Sequence, residues 1–202
     1  MNSKIAQHFK KKDPILHSYL KQVGPIEDLQ GDLPKNYFLR ICKEIVGQQL
    51  SSKAGRAIFS RFKNVFPQGV ICPEAVLATS HETLRNSGIS HAKARYIRNL
   101  AQAIANGDLD FKNFKKLANE QIIEQLTKVK GIGPWTSQMF LMFTMGREDV
   151  FSPGDLGLRK AIKKIYKFKK EPSPKQIEKI VSQWSPYKTY GCLALWGIMD
   201  LK

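Results

Sequence analysis

The sequence predicts an all-α fold, and three observations carry that prediction. Apolar residues recur at helical spacing: Ile97, Leu100, Ala101 and Ile104 stand at i, i+3, i+4 and i+7, and Ile177, Ile180, Val181 and Trp184 repeat the interval. No alternation of apolar and polar residues runs far enough to read as a strand. Turn signals separate the periodic segments: Phe66-Pro67-Gln68-Gly69, Asn106-Gly107-Asp108, Ser152-Pro153-Gly154 and Glu171-Pro172-Ser173-Pro174. About eight to ten helices are expected between these breaks.

The chain of 202 residues suits one domain, or two small lobes sharing a core. At 42% hydrophobic and 25% charged it has the composition of a globular protein. Its 33 Lys+Arg against 17 Asp+Glu leave a net charge of +16, spread along the whole chain. Such an excess favours polyanions, either nucleic acid or an anionic membrane surface. No apolar stretch approaches the roughly 18 residues of a membrane span. Met1 to Lys12 is polar and ends in Lys10-Lys11-Lys12, which gives a signal peptide no apolar run. Cys42, Cys72 and Cys192 are far apart, form no metal-ligand spacing and no even disulfide set, and fit a reducing compartment. Lys163 to Lys170, the densest basic stretch, reads as a solvated helix face and loop.

Leu126 to Ser137 reads L-T-K-V-K-G-I-G-P-W-T-S. A helix carrying Ile122, Ile123 and Leu126 runs into Gly131-Ile132-Gly133, and a second helix opens at Pro134. Two glycines around one aliphatic residue allow a tight turn with positive φ and a close backbone approach. Pro134 suits the first helical position, where its missing N–H costs nothing. The second helix, Trp135 to Met145, carries Met139, Phe140, Leu141, Met142 and Phe143 and is expected to be buried nearly all round. Its beginning then offers backbone N–H groups to a phosphate. Helix–Gly-x-Gly–helix turns occur in many proteins, so this segment alone leaves the structural and the DNA-binding readings open.

Beyond it comes Val150-Phe151-Ser152-Pro153-Gly154-Asp155, followed by a helical pattern from Leu156 to Tyr166. Asp155 falls at the N-cap of that helix, and capping is the commonest use of Asp there. A helix N-terminus also favours an ionised carboxylate in a partly dry cleft. A fixed anion is what base excision requires, because the sugar becomes cation-like as the base departs. Glu148 and Asp149, in a Gly-Arg-Glu-Asp turn, read as solvated charges.

Together these motifs resemble the helix-hairpin-helix DNA glycosylase superfamily, in its 3-methyladenine DNA glycosylase II branch. The resemblance covers roughly residues 38–200 and rests on five blocks in the family's order. They are Ile45 to Ala54 (I-V-G-Q-Q-L-S-S-K-A), Gly88-Ile89-Ser90 through Lys93 to Tyr96-Ile97, the K-G-I-G-P-W-T hairpin, V-F-S-P-G-D, and Trp184 to Lys188 with Trp196. It implies two helical lobes flanking a DNA-binding cleft. Residues 42–150 would form the continuous lobe with the hairpin at 126–137, and 1–41 with 151–202 the second. Long relatives add an N-terminal β domain, and this chain resembles a short form without it.

By that resemblance Asp155 is catalytic, stabilising the oxocarbenium-like sugar or positioning and deprotonating the attacking water. Relatives that also cleave the strand carry a lysine nucleophile two residues after the hairpin's second glycine; here Trp135 stands there, which implies a monofunctional enzyme. Trp135, Trp196 and Tyr187 would line the base pocket, where electron-rich rings suit cationic alkylated bases, although large aromatics at helical spacing are most often core. Met139 stands where one relative carries a further pocket aromatic. Gln49 would plug the gap left by the flipped nucleotide, with Ser51 at the minor groove; the residues themselves also allow a helix start with exposed amides. Lys130, Gly131, Gly133 and Thr136 would meet a phosphate. The carbonyls of Thr127, Val129 and Ile132 match positions that hold a monovalent cation. No other cofactor is implied, and no iron–sulfur cluster, since only Cys192 lies where four cysteines would be needed.

The function implied is hydrolytic release of alkylated purines from double-stranded DNA, leaving an abasic site. The expected setting is a monomer in the cytoplasm, or in the nucleus of a eukaryote, with no membrane partner. A non-catalytic helix-hairpin-helix DNA-binding protein and a bifunctional glycosylase/lyase for oxidised bases are the competing classes. The sequence leaves open the preference among 3-methyladenine, 7-methylguanine, hypoxanthine and ethenoadenine.

Overall fold

The computed structural model describes residues 3–200; Met1, Asn2, Leu201 and Lys202 of the terminal readings lie outside them. The described residues form twelve α-helices and no strand, more than the eight to ten expected. The excess comes from short helices α5 and α6 (Pro73–Ala78 and His81–Asn86), too brief to show a periodicity. The chain forms two compact units, residues 1–31 with 141–202, and residues 32–140. Both boundaries fall ten residues before those the sequence suggested, at 32 against 42 and at 141 against 151.

The discontinuous unit contains α1 (Ser3–Lys12), α2 (Pro14–Val23) and the C-terminal helices α10 (Leu156–Ile165), α11 (Pro174–Val181) and α12 (Lys188–Asp200). Helix α12 packs on both α2 and α10. It is apolar round most of its girth, with Tyr190, Cys192, Ala194, Leu195 and Ile198 buried. Gly197 permits close packing, because a Cβ there would lie 2.2 Å from Val23 Cγ1. Trp184 is fully buried, and its Nε1 donates to Asp13 Oδ2 at 2.7 Å. Tyr166 donates its hydroxyl to the same oxygen, while Asp13 Oδ1 caps α2 through the N–H of Leu16. A carboxylate 5% exposed is thus paid for by three donors.

The continuous unit contains α3 (Tyr37–Gly47), α4 (Ser52–Asn64), α5, α6, α7 (His91–Ala105) and α8 (Asn119–Thr127). Helix α9 (Pro134–Phe143) also begins there, and the chain leaves the unit between Phe140 and Leu141. Helix α7 is the central strut, in contact with α3, α5 and α6. Its apolar stripe Ile97, Leu100 and Ala101 is fully buried, as the helical spacing predicts. An aromatic cluster closes the far end: the Tyr37 ring meets Phe140 edge-on at 5.1 Å and Phe111 at 5.7 Å. Serine hydroxyls cap the helix starts, Ser51 accepting from Ala54 N, Ser80 from Thr83 N and Ser90 from Lys93 N.

Candidate functional site

In the continuous unit the hairpin is built as α8, a turn over residues 128–133, and α9. Only one of its glycines needs its conformational freedom. Gly131 has φ of +108°, and a Cβ there would stand 2.0 Å from the Tyr96 ring. Gly133 has no positive φ and open space where a Cβ would be, so the expectation of paired special glycines is corrected. Val129 and Ile132 are buried, 6% and 3% exposed, and anchor the turn. The carbonyl of Val129 accepts the Ile132 N–H at 3.0 Å. Thr127 turns its hydroxyl back on the carbonyls of Ile123 and Glu124. Lys130 is exposed, and its carbonyl accepts from Asn99 Nδ2 at 3.0 Å.

Helix α7 explains the Gly88-to-Ile97 block. Tyr96 packs on Gly131, Asn99 bonds the turn, and Lys93 Nζ donates to the carbonyls of Val46 and Gln48 at 2.8 and 2.7 Å. Lys93 thereby satisfies the carbonyls at the end of α3 that the helix itself cannot. Burial lowers its pKa from the ordinary lysine value.

Residues 48–50 form a turn after α3, not a helix start. Gln49 sits in it with φ of +57° and an exposed side chain, a conformation that non-glycine residues rarely hold. Gln48 faces inward and donates from Nε2 to Thr136 Oγ1 at 3.0 Å and to the Gly131 carbonyl at 3.4 Å. Thr136 is 3% exposed and its hydroxyl is engaged by Gln48, so it is an internal acceptor and not the phosphate contact that the resemblance implied. Ser51 is exposed and caps α4. Trp135 is 38% exposed at the first turn of α9, whereas Met139 on the same helix is buried.

In the discontinuous unit Asp155 is the N-cap of α10, its Oδ1 accepting from Leu158 N at 2.8 Å. The same oxygen accepts from Trp196 Nε1 at 3.2 Å. Asp155 and Trp196 are each partly exposed. The Phe143 ring lies 5.8 Å from that of Trp196, tilted by 33°. Gly157 keeps this corner open, since a Cβ there would lie 3.1 Å from Asp155 Oδ1 and 3.4 Å from Trp196 Cδ1. Two expectations need correction. Helix α9 ends at Phe143, which is 47% exposed, so the helix is not buried all round. Glu148 and Asp149 are not merely solvated. Asp149 accepts from Ser185 Oγ at 2.7 Å and from Lys188, and Glu148 Oε1 accepts from the Tyr190 hydroxyl. These bonds tie the loop before Asp155 to the start of α12.

Tyr187 is 9% exposed and meets His8 and Tyr190 edge-on. Among the described residues no group of three His, Cys, Asp or Glu side chains could hold a metal ion. Cys42 and Cys192 are buried, and burial raises both thiols well above the usual range. Among the described residues no helix is long and apolar enough to cross a membrane. Gln48, Gly157 and Phe143 are the site residues that sequence reasoning missed. Nothing in their spacing marks them, because each meets at least one partner distant in the chain: Gln48 the hairpin, and Gly157 and Phe143 the Trp196 ring.

An all-helical chain with a glycine hairpin and an N-capping aspartate falls within a known class. The model for HhH-GPD superfamily base excision DNA repair proteins matches residues 42–186, and the chain belongs to that superfamily. It is 31% identical to DNA-3-methyladenine glycosylase 1 of Schizosaccharomyces pombe over 98% of this chain and 88% of that one. Its fold is similar to a DNA-3-methyladenine glycosidase from Bacillus halodurans, with a TM-score of 0.85 and 34% identity, covering 99% of this chain and 91% of that one. It is also similar to the S. pombe 3-methyladenine DNA glycosylase solved in complex with abasic DNA, with a TM-score of 0.88, 30% identity and 98% of each chain covered.

Proposed function

We propose that the chain is a monofunctional DNA glycosylase that excises alkylated purines by hydrolysis and leaves an abasic site. The observation that carries this reading is Asp155, whose Oδ1 is held by both Leu158 N and Trp196 Nε1. A carboxylate oriented by two donors is preorganised for charge that develops elsewhere. As the C1′–N bond breaks, its electron pair leaves with the base and the sugar becomes cation-like. Asp155 stabilises that cation and orients the water that adds to C1′, taking up its proton. An N-alkylated purine departs as a neutral base because it carried the positive charge beforehand. The chain then needs no strong general acid for its leaving group.

The hairpin backbone at Lys130, Gly131 and Gly133 suits a phosphate, and Gln49 suits the space left by an extruded nucleotide. The carbonyls of Thr127, Val129 and Ile132 fit a monovalent cation, which would supply positive charge beside that phosphate. The Val129 oxygen takes one hydrogen bond and keeps a second lone pair for such an ion. In the discontinuous unit Trp196 and Phe143 offer aromatic surfaces beside Asp155 to a cationic base, and in the continuous unit Trp135 presents a part-exposed ring at the start of α9. Met139 and Tyr187 are buried and support their surroundings. The enzyme works as a monomer on double-stranded DNA, in a reducing compartment that keeps the three thiols free.

The test is single-turnover incubation with alkylated duplex DNA, resolved on a denaturing gel with and without alkali. Strand breaks only after alkali are expected for the wild type, and base release from Asp155→Asn should be lost or severely reduced while abasic-DNA binding persists. Breaks without alkali would instead indicate a lyase, and none in either lane a binding protein. An Asn variant near wild-type rate would remove Asp155 from catalysis.

A further inference from the structure

We propose that Gln48 is a positioning residue that joins the Gln49 turn to the hairpin, so that gripping the backbone and extruding the base are done by one rigid piece. The proposal rests on the glycosylase reading above and adds a residue that the family resemblance assigned no role.

Three elements of the continuous unit meet at Gln48. Its carbonyl accepts from Lys93 Nζ of α7 at 2.7 Å. Its side-chain amide donates to Thr136 Oγ1 at 3.0 Å and to the Gly131 carbonyl at 3.4 Å, both in the hairpin. The turn itself is closed by the Leu50 N–H on the Gly47 carbonyl at 3.1 Å. The hairpin end is equally fixed, with Tyr96 against Gly131 and Asn99 on the Lys130 carbonyl. Gln49 is therefore the exposed middle of a turn whose neighbours are pinned on both sides.

Its backbone is in the left-handed region at φ +57°. A non-glycine residue stays there only where its surroundings over-determine it. Released from Gln48, the turn would relax to a commoner conformation and the Gln49 side chain would change direction. A plug that recoils lets the extruded base return to the stack, whereas phosphate contacts made by the hairpin backbone would persist. Gln48 thus separates two things a simple fold-stabilising residue would affect together: holding DNA and holding the base out.

The experiment compares Gln48→Ala with wild type on 7-methylguanine placed opposite cytosine, and opposite an abasic-site analogue where nothing opposes extrusion. Loss of these bonds is expected to lower single-turnover release from the paired lesion by about 5- to 30-fold. Release from the unpaired lesion and affinity for abasic duplex should change by less than about 2-fold, since neither depends on displacing a partner. Adding Gln49→Ala should cost little more, because both changes disable one plug. Thr136→Val removes the acceptor from the other side and should show the same split, which keeps the test open if Gln48→Ala folds poorly. No loss, equal losses on both lesions, or multiplicative losses in the double variant would overturn the proposal. Wild-type protein that releases no base from either duplex would overturn the glycosylase reading instead.

Discussion

Trp135 stands two residues after Gly133, in the first turn of α9, with over a third of its surface exposed. An indole cannot attack C1′ as an amine does, so no covalent enzyme–DNA bond should form. Borohydride added during turnover is expected to trap no adduct, and a trapped band on a denaturing protein gel would refute the monofunctional assignment. Stacking and cation–π attraction are what the ring can offer, of order 0.5–2 kcal/mol. Trp135→Ala should then slow release of cationic bases more than neutral ones, by roughly 2- to 30-fold. Parallel release assays on 7-methylguanine and hypoxanthine decide this, and equal losses would exclude the role. Asp155 was legible in the sequence because Ser-Pro-Gly before an apolar helical pattern marks an N-cap. Its bond to Trp196 was not, because the two lie 41 residues apart and no local spacing encodes that meeting.

At the scale of elements, the hairpin was legible and its support was not. Gly-x-Gly between two helical patterns announces a tight turn, yet which glycine needs a positive φ depends on Tyr96, a residue of α7. Gly131→Ala should accordingly do far more harm than Gly133→Ala. Strain and overpacking together should cost about 2–5 kcal/mol, against about 1 kcal/mol or less at Gly133. Urea unfolding of both variants measures the difference, and equal stabilities would contradict the packing described. The short helices α5 and α6 stayed hidden because six residues cannot display a 3.6-residue period. A second element-level prediction concerns the entry to α3. Asp32 accepts from Asn36 Nδ2 at 2.6 Å, Arg40 Nε at 2.7 Å and Leu33 N at 2.8 Å. The Asn36 amide foremost, then the Arg40 guanidinium, hold its carboxyl below the usual carboxylate value. A lowered folded pKa stabilises above the unfolded value of about 4, and that contribution is lost as pH falls through the folded value. The stability gap between wild type and Asp32→Asn should therefore be present at pH 6 and shrink as pH is taken below about 4. A gap independent of pH in urea titrations would show that the carboxylate contributes nothing through its charge.

At the scale of the whole molecule, the net charge of +16 is set by residues that the fold leaves on its surface. Among the described residues some acids pair with cations, such as Asp32 with Arg40 and Asp149 with Lys188. That leaves an excess of lysines and arginines, which on the proposed reading is the footprint for the DNA phosphate backbone. Each phosphate neutralised releases condensed counterions, so the logarithm of affinity should fall linearly with the logarithm of salt concentration. With six to ten phosphate contacts, affinity for undamaged duplex should drop by roughly 10³–10⁵ between 50 and 200 mM salt. On the proposed reading the hairpin meets backbone, not base edges, so two unrelated sequences of equal length should give the same slope and nearly the same affinity. Fluorescence anisotropy across that salt range, with duplexes of both sequences, measures slope and selectivity together. A flat response would mean that the surface charge is not the DNA footprint. A steep response for one sequence alone would mean that base edges are read after all.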